Sequence, residues 1–352
     1  MSKKNSIIII TVISAITIIA AAICFIYARN SLFTPNFTTN EQQKPLIYIY
    51  KGDKIDDIIG QLTSKSAIIN PASLRLASRI MRLADTPLKT GCYRYDATMT
   101  NYDLLGKIRR GEQTPQKVVI NNLRLPEQFA QKVSRQLMLD STTIYNYITD
   151  STLMQALGFT PSTLFVMVVA DTYEMWWTTS IDQLMLRLKN EHDKFWQRND
   201  RDRKAVQLGL SRTEVVTLAS IVDEETNRPD ERRRIAGLYL NRLHCGMMLQ
   251  SDPTVKYAVG DFTLNQILYS HLNIDSPYNT YRYYGLPPGP IRLPQTATID
   301  DVLNAEQHNY LYMCAHEDLN GTHRFAQNLS QHNANALRYH QALRLWKRKN
   351  MK

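Results

Sequence analysis

The sequence predicts an α+β protein: one N-terminal transmembrane helix, a small α+β subdomain and a larger mixed α+β domain. Three observations predict it. Residues 7–27 (IIIITVISAITIIAAAICFIY) hold no charged side chain. From Leu46 short β-rich runs alternate with short amphipathic helical patterns. From Pro126 onward apolar residues recur mostly at helical spacing, several times behind a capping residue. At 352 residues the chain is long enough for two or three modest domains and an anchor.

Twenty-one residues at 1.5 Å each span about 31 Å, enough to cross a hydrocarbon core. Lys3 and Lys4 precede the run, which places the N-terminus in the cytoplasm and everything after Arg29 outside. The run is longer than a signal-peptide core and lacks a small-residue cleavage box, so residues 1–30 read as an uncleaved single-span anchor. Residues 31–45 are polar with Pro35 and Pro45, the composition of a stalk.

A compact subdomain follows over residues 46–112. LIYIY (46–50) is a strand by its alternation, and Lys51-Gly52-Asp53 is a turn. Ile55, Ile58, Ile59 and Leu62 mark a helix. Pro71 opens another, carrying Leu74, Leu76, Ile80 and Leu83. GCYRY (91–95) returns as a strand, and residues 101–110 make a further helix. The larger domain occupies residues 117–352. Residues 117–121 read as a strand, and residues 126–137 as a helix with Phe129, Val133 and Leu137 on one face. Residues 141–157 read as a helix, LFVMVV (164–169) as a buried strand, and residues 181–199 as a long helix. Trp176 and Trp177 suit core packing better than sugar stacking. Residues 265–271 read as a short helix and residues 331–350 as a C-terminal helix ending in a basic tail.

The net charge is +10, yet Lys and Arg are scattered and no nucleic-acid-binding motif appears, so nucleic acid is not an expected partner. An anionic membrane surface or acidic peptides fit the charge better. Cys24 lies in the span, and Cys92, Cys245 and Cys314 are far apart in sequence, so at most one bridge forms outside. Neither the cysteines nor the eight histidines show metal-ligand spacing, and no metal or cofactor is expected.

The most informative stretch is residues 218–257. Ser211 is a candidate N-cap, with Glu214 completing a capping box. Leu218, Ile221 and Val222 form an apolar stripe, and Glu225 falls seven, four and three residues beyond them, on the same face. Asp223 and Glu224 point elsewhere. Glu225 is therefore the carboxyl expected to be desolvated, which raises its pKa and suits it to act as a general acid. The other reading pairs Glu225 with Arg228 or with one of Arg232, Arg233 and Arg234. Pro229 then starts a second helix with Ile235, Leu238, Tyr239 and Leu243 buried and Gly246 as its stop, and LQSDPTVKY (249–257) reads as a turn around Pro253.

The blocks ASIVDEET (219–226), IAGLYLNRL (235–243) and GMMLQSDPTVKY (246–257) closely resemble the signature of the YceG-like family, the membrane-bound endolytic murein transglycosylases of the MltG type. The resemblance continues through YNTYRYYGLPPGPI (278–291), YLYMCA (310–315), GTHRFA (321–326) and QHN (331–333), in the family's order and spacing. It implies that Glu225, directly before Thr226, is the catalytic acid. It implies that residues 46–112 are a LysM-like subdomain holding N-acetylglucosamine-containing glycan, although an α+β spacer reads equally well. Gln250, Ser251, Asp252 and Thr254 match the family's LQ[TS]DPT turn, and Tyr278, Asn279 and Tyr281 its YNTY block. These are candidates for binding the acetamido sugars or orienting Glu225, and each could equally be a turn or cap residue. Four positions depart from the pattern: Ala170 where proline is common before Asp171-Thr172-Tyr173, Ala305 and Glu306 in place of proline and a small residue, and Ala326 in place of serine.

The resemblance implies a peptidoglycan lytic transglycosylase in the bacterial inner membrane, with its catalytic domain in the periplasm. Such an enzyme cleaves the MurNAc–GlcNAc bond within nascent strands and terminates their elongation beside penicillin-binding proteins and other synthases. One acid protonates the glycosidic oxygen. As a carboxylate it then deprotonates the C6 hydroxyl, which closes on C1 to leave a 1,6-anhydro end without consuming water. Ordinary glycoside hydrolases instead use two carboxyl groups and water. Two other functions remain open on the sequence: a non-catalytic glycan-binding scaffold, and a muramidase with Asp252 as second carboxylate.

Overall fold

The computed structural model describes residues 3–39, 44–264 and 266–350. The architecture is α+β, mostly helical, with two-stranded sheets. The chain forms two units: residues 1–117 with 136–138 and 174–179, and residues 118–135 with 139–173 and 180–352.

In the first unit α1 (Lys3–Phe33) is one uninterrupted helix. Its part Ile7–Phe33 is long and apolar enough to span a membrane, and the side chains of residues 7–27 are exposed along it. The helix runs past Arg29 into the expected stalk. Ser31 is buried, and its carbonyl accepts from Asn101 Nδ2 at 2.8 Å and Ser73 Oγ at 3.3 Å. Phe37 is buried in this unit's core, and Pro35 and Phe37 form isolated bridges to Thr100 and Ile68. Residues 31–39 are thus built into the unit rather than left as a free stalk, because Phe37 has an apolar core to enter. The stalk's residues 40–43 lie outside the described residues.

The rest of the unit runs β1 (Leu46–Ile49), α2 (Ile55–Ser64), α3 (Pro71–Ile80), β2 (Gly91–Arg94) and α4 (Asn101–Arg110). β1 and β2 are antiparallel, with Ile47 opposite Tyr93. Ile47, Ile58, Leu62, Leu74, Tyr93, Leu104 and Ile108 fill the core, each aliphatic side chain contributing about 1.5–3 kcal/mol by its burial. Within α3 Leu74 and Ala77 are buried and Ile80 is exposed. Trp177 packs in this unit between Tyr48 and Tyr50, at 5.0 and 4.9 Å between ring centres, while Trp176 stays exposed.

β3 (Gln116–Ile120) pairs with β4 (Asp171–Met175). Between them lie α5 (Pro126–Ser134), α6 (Ser141–Thr149), α7 (Ser151–Ala156) and α8 (Leu164–Met167). The single helix expected over residues 141–157 breaks at Asp150. That residue leaves helical geometry (ψ 113°), and its carboxylate accepts from the Thr152 and Leu153 amides to cap α7. The run expected as a buried strand is buried but helical over its first four residues, α8. A short apolar run has no periodicity to separate the two states. Ala170 sits in the bend before β4.

The second unit continues with α9 (Ile181–Gln197), α10 (Arg201–Gln207), α11 (Arg212–Glu225), α12 (Pro229–His244), α13 (Asp252–Val259) and α14 (Tyr269–Leu272). α15 (Thr296–Leu303), β5 (Tyr312–Ala315), β6 (His323–Ala326) and α16 (Leu329–Asn350) complete it. α11 is the central element: every residue from Val215 to Asp223 is buried, against α8, α12, α13 and α15. LQSDPTVKY is not merely a turn, since Pro253 lies in the first turn of α13, where its missing N–H costs nothing. The short helix expected from Asn265 starts outside the described residues; α14 occupies its end.

Candidate active site

α11 begins as its sequence demands. Ser211 Oγ accepts from the Glu214 amide at 3.2 Å, and Glu214 Oε2 accepts from the Ser211 amide at 2.8 Å. The helix ends on Glu225 because Thr226 is extended (φ −146°, ψ 137°) and Pro229 starts α12. The three consecutive carboxyl groups at that end meet very different surroundings.

Asp223 is fully buried. It accepts from the Gln295 amide (3.0 Å) and Thr298 Oγ1 (2.5 Å), with Arg232 and Arg292 at 3.7 and 3.9 Å. Glu224 is clamped by Arg124 through both oxygens, at 2.8 and 2.7 Å, and by Arg292 Nη1 at 2.6 Å. Among the described residues no guanidinium comes within ion-pair distance of Glu225. Its Oε1 accepts from Tyr239 Oη at 2.7 Å and Ser251 Oγ at 2.5 Å. The arginines that could have neutralised it are committed elsewhere: Arg228 to Asp230, Arg232 to Asp223, Arg233 to the Asn304 carbonyl and Arg234 to Glu306. Glu306, a departure from the family pattern, is therefore an ion-pair partner on α12. The helical-face argument does not separate the three carboxyl groups, because α11 is buried almost all round. What separates them is the neighbouring charge.

Burial pushes the Glu225 carboxyl above its ordinary pKa; the Ser251 and Tyr239 hydroxyls oppose this, Asp252 adds to it, and His323 opposes it. The C-terminal end of α11, where backbone carbonyls point outward, also disfavours a carboxylate there. Burial and the Glu225 carboxylate hold the Tyr239 phenol well above its ordinary value, so it stays a neutral donor. Oε1 is taken by two O–H donors, so Oε2 is the oxygen left to carry a proton when Glu225 is protonated.

Glu225 opens onto a cleft of about 200 Å³, lined also by Tyr239, Arg242, Gln250, Asp252 and Tyr281. Of the residues expected at a site, the fold thus brings together Glu225, Gln250, Asp252 and Tyr281, with Ser251 buried behind them. Gln250 takes a left-handed backbone (φ 51°), its amide donating to the Thr280 carbonyl, which leads the chain into α13. Asp252 Oδ1 accepts from Tyr281 Oη at 2.6 Å. Burial, then the bond to Asp252, raises the Tyr281 phenol. The other three candidates hold the frame. Thr254 Oγ1 donates to the Ser251 carbonyl (2.7 Å) and meets Thr280 Oγ1. Asn279 is buried and donates to the Leu272 and Ile274 carbonyls. Tyr278 packs against Tyr257 in a tilted ring pair, 4.7 Å between centres.

Sequence reasoning missed Tyr239, Arg242 and His323. Tyr239 was legible only as one more apolar residue of α12, yet a buried tyrosine hydroxyl needs a partner, and that requirement was the available signal. His323 is held by Glu231, which accepts from its backbone amide and meets its Nδ1, both at 2.8 Å. No short-range signal joins these two residues, which lie 92 positions apart.

The model of the YceG-like family matches residues 47–338. An endolytic murein transglycosylase of Streptococcus pneumoniae is 30% identical over 280 residues, 71% of this chain and 50% of that protein. One of Bacillus subtilis is 41% identical over 119 residues, 34% of this chain and 32% of its own. The chain spans about half the length of the pneumococcal relative it matches. The crystal structure of a YceG-like protein from Listeria monocytogenes aligns with a TM-score of 0.55 at 26% identity, covering 84% of this chain and 99% of that one.

Proposed function

The chain belongs to the YceG-like family, and from that premise we propose that it is an endolytic peptidoglycan lytic transglycosylase with Glu225 as its single acid/base. The observation that carries the reading is Glu225 itself: a carboxyl whose pKa is raised by burial, hydrogen-bonded to two hydroxyls, at the wall of a cleft. The names of the pneumococcal and Bacillus relatives support the reaction class.

In this reading Glu225 gives the Oε2 proton to the MurNAc–GlcNAc oxygen. The resulting carboxylate keeps its charge on Oε1, where Tyr239 and Ser251 already donate, so no reorganisation is needed as charge develops. It then takes the C6 hydroxyl proton while the C6 oxygen closes on C1, leaving a 1,6-anhydro-MurNAc end and a neutral acid. Gln250, Asp252 and Tyr281 contact the sugars, and Thr254, Tyr278 and Asn279 hold the loops that present them. α1 anchors the protein in the inner membrane with its N-terminus cytoplasmic and the second unit periplasmic. The LysM-like part of the first unit holds glycan, and the enzyme terminates strands made by penicillin-binding synthases.

Digestion of purified sacculi with the detergent-purified full chain, followed by mass spectrometry of the ends, tests this. Anhydro ends from the parent and none from Glu225→Gln are expected. Reducing ends would make it a muramidase with Asp252 as second carboxylate, and no ends at all a scaffold.

A further inference from the structure

Arg242 is a buried cation held wholly by neutral groups. Its Nε donates to the Leu311 carbonyl at 2.6 Å, and Nη1 to the Leu249 and Met248 carbonyls at 2.7 and 3.2 Å. The guanidinium lies 5.4 Å from the centre of the Tyr312 ring. Among the described residues no carboxylate comes within ion-pair distance of it, whereas Arg124, Arg201, Arg212, Arg234, Arg292 and Arg324 each have one. A desolvated guanidinium without a counter-charge is costly. Yet α12 places this one in the wall of the cleft that Glu225 opens onto. Three carbonyls engage Nε and Nη1 and fix the plane of the group; among the described residues no hydrogen bond engages Nη2, and the side chain lines the cleft. A rigid, uncompensated guanidinium is a receptor for an acyl oxygen or a carboxylate.

We propose that Arg242 binds the acyl oxygens of the 3-O-lactyl group on the muramyl sugar, and so selects that sugar for the position beside Glu225. This rests on the glycan reading of the same site. The rest of the polar lining offers hydroxyls, an amide and carboxyl groups, which serve either amino sugar alike. The lactyl group is what distinguishes the muramyl ring. It carries a carboxylate when bare and an amide carbonyl when it bears a stem peptide, and both accept from a guanidinium.

The test uses full-length Glu225→Gln in detergent, titrated with GlcNAc-MurNAc, with the same disaccharide carrying its stem peptide, and with chitobiose, which has acetamido groups but no lactyl. Both muramyl ligands are expected to bind about 10-fold tighter than chitobiose, the effect of one charge-assisted hydrogen bond. Adding Arg242→Gln should erase that preference, and Arg242→Lys, which keeps the charge, should restore part of it. A preference that survives Arg242→Gln overturns the proposal while leaving the glycan reading intact. So does an equal loss for all three ligands that Arg242→Lys fails to relieve, which would make Arg242 only an anchor for the Met247–Leu249 turn. Binding of no disaccharide, with no anhydro ends from sacculi, overturns the glycan reading and this assignment with it.

Discussion

Tyr239 donates its phenolic hydrogen to Glu225 Oε1 at 2.7 Å, from α12 to the last residue of α11. The bond favours the carboxylate and so works against the burial that keeps the acid protonated. Removing it in Tyr239→Phe should move the Glu225 pKa further up. The alkaline limb of the pH–rate profile, where the acid is lost, should then shift to higher pH. The plateau rate should fall about 10- to 100-fold, because the carboxylate formed on proton transfer loses one of its two charge-assisted donors. An alkaline limb that stays in place would show that this hydroxyl does not set the acid's pKa.

Asp223→Asn is a probe of stability, not a neutral control beside Glu225. The Asp223 carboxylate is buried with Arg232 and Arg292 facing it, and both of its oxygens accept hydrogen bonds. The amide removes the counter-charge of the largely buried Arg232, leaves Arg292 with Glu224 alone, and turns one acceptor into a donor aimed at donors. A loss of about 3 kcal/mol is expected, read from denaturant unfolding. Glu224→Gln should cost less, since its partner Arg124 is about one-third exposed and screened by solvent, and its other partner Arg292 keeps Asp223 as a counter-charge.

Part of this was legible in the chain and part was not. The capping box at Ser211, the Pro229 start and the strand–helix–helix–strand order of residues 46–94 are local signals, and the fold keeps them. The partners of Glu225 were not legible. Ser251 lies 26 positions away and Tyr239 14, and only the packing of α12 and the approach to α13 bring them to one oxygen. Nor could the sequence divide its arginines between Asp223, Glu224, Glu306 and the backbone, because pairing depends on where loops return. The motif blocks mixed the two kinds of residue: in YNTY, Tyr281 lines the cleft while Asn279 ties down a loop.

Gly237 shows a position whose need for glycine lies in packing. It sits inside α12, where glycine weakens a helix by about 1 kcal/mol relative to alanine. A Cβ there would stand 2.3 Å from the Glu306 carbonyl oxygen and 2.8 Å from His308 Nε2. The Glu306 amide donates to the Arg233 carbonyl at 3.0 Å, so the segment cannot simply retreat. Gly237→Ala should therefore destabilise by about 1–3 kcal/mol despite its better helix propensity. A melting temperature equal to or above the parent's would show that residues 305–308 move freely.

Glu225→Gln separates the acid reading from an ordinary structural carboxylate by stability alone. Burial raises the folded-state pKa of Glu225 above its unfolded value of about 4.3. Between those two values the folded chain binds more protons than the unfolded chain, so stability falls as pH rises through that window. Above the window the parent carries a buried carboxylate with no ion-pair partner among the described residues. The amide keeps the acceptor for Tyr239 and Ser251 and carries no charge. The variant should therefore melt at or above the parent at pH 8, with the gap closing as pH drops below about 4. A paired structural glutamate would behave in the opposite sense, losing about 3–5 kcal/mol on substitution near neutral pH. As an acid/base, the same substitution should remove at least a factor of about 10²–10⁴ from the rate of anhydro-end release. A variant that melts well below the parent at pH 8 yet still releases anhydro ends would sink the assignment of Glu225.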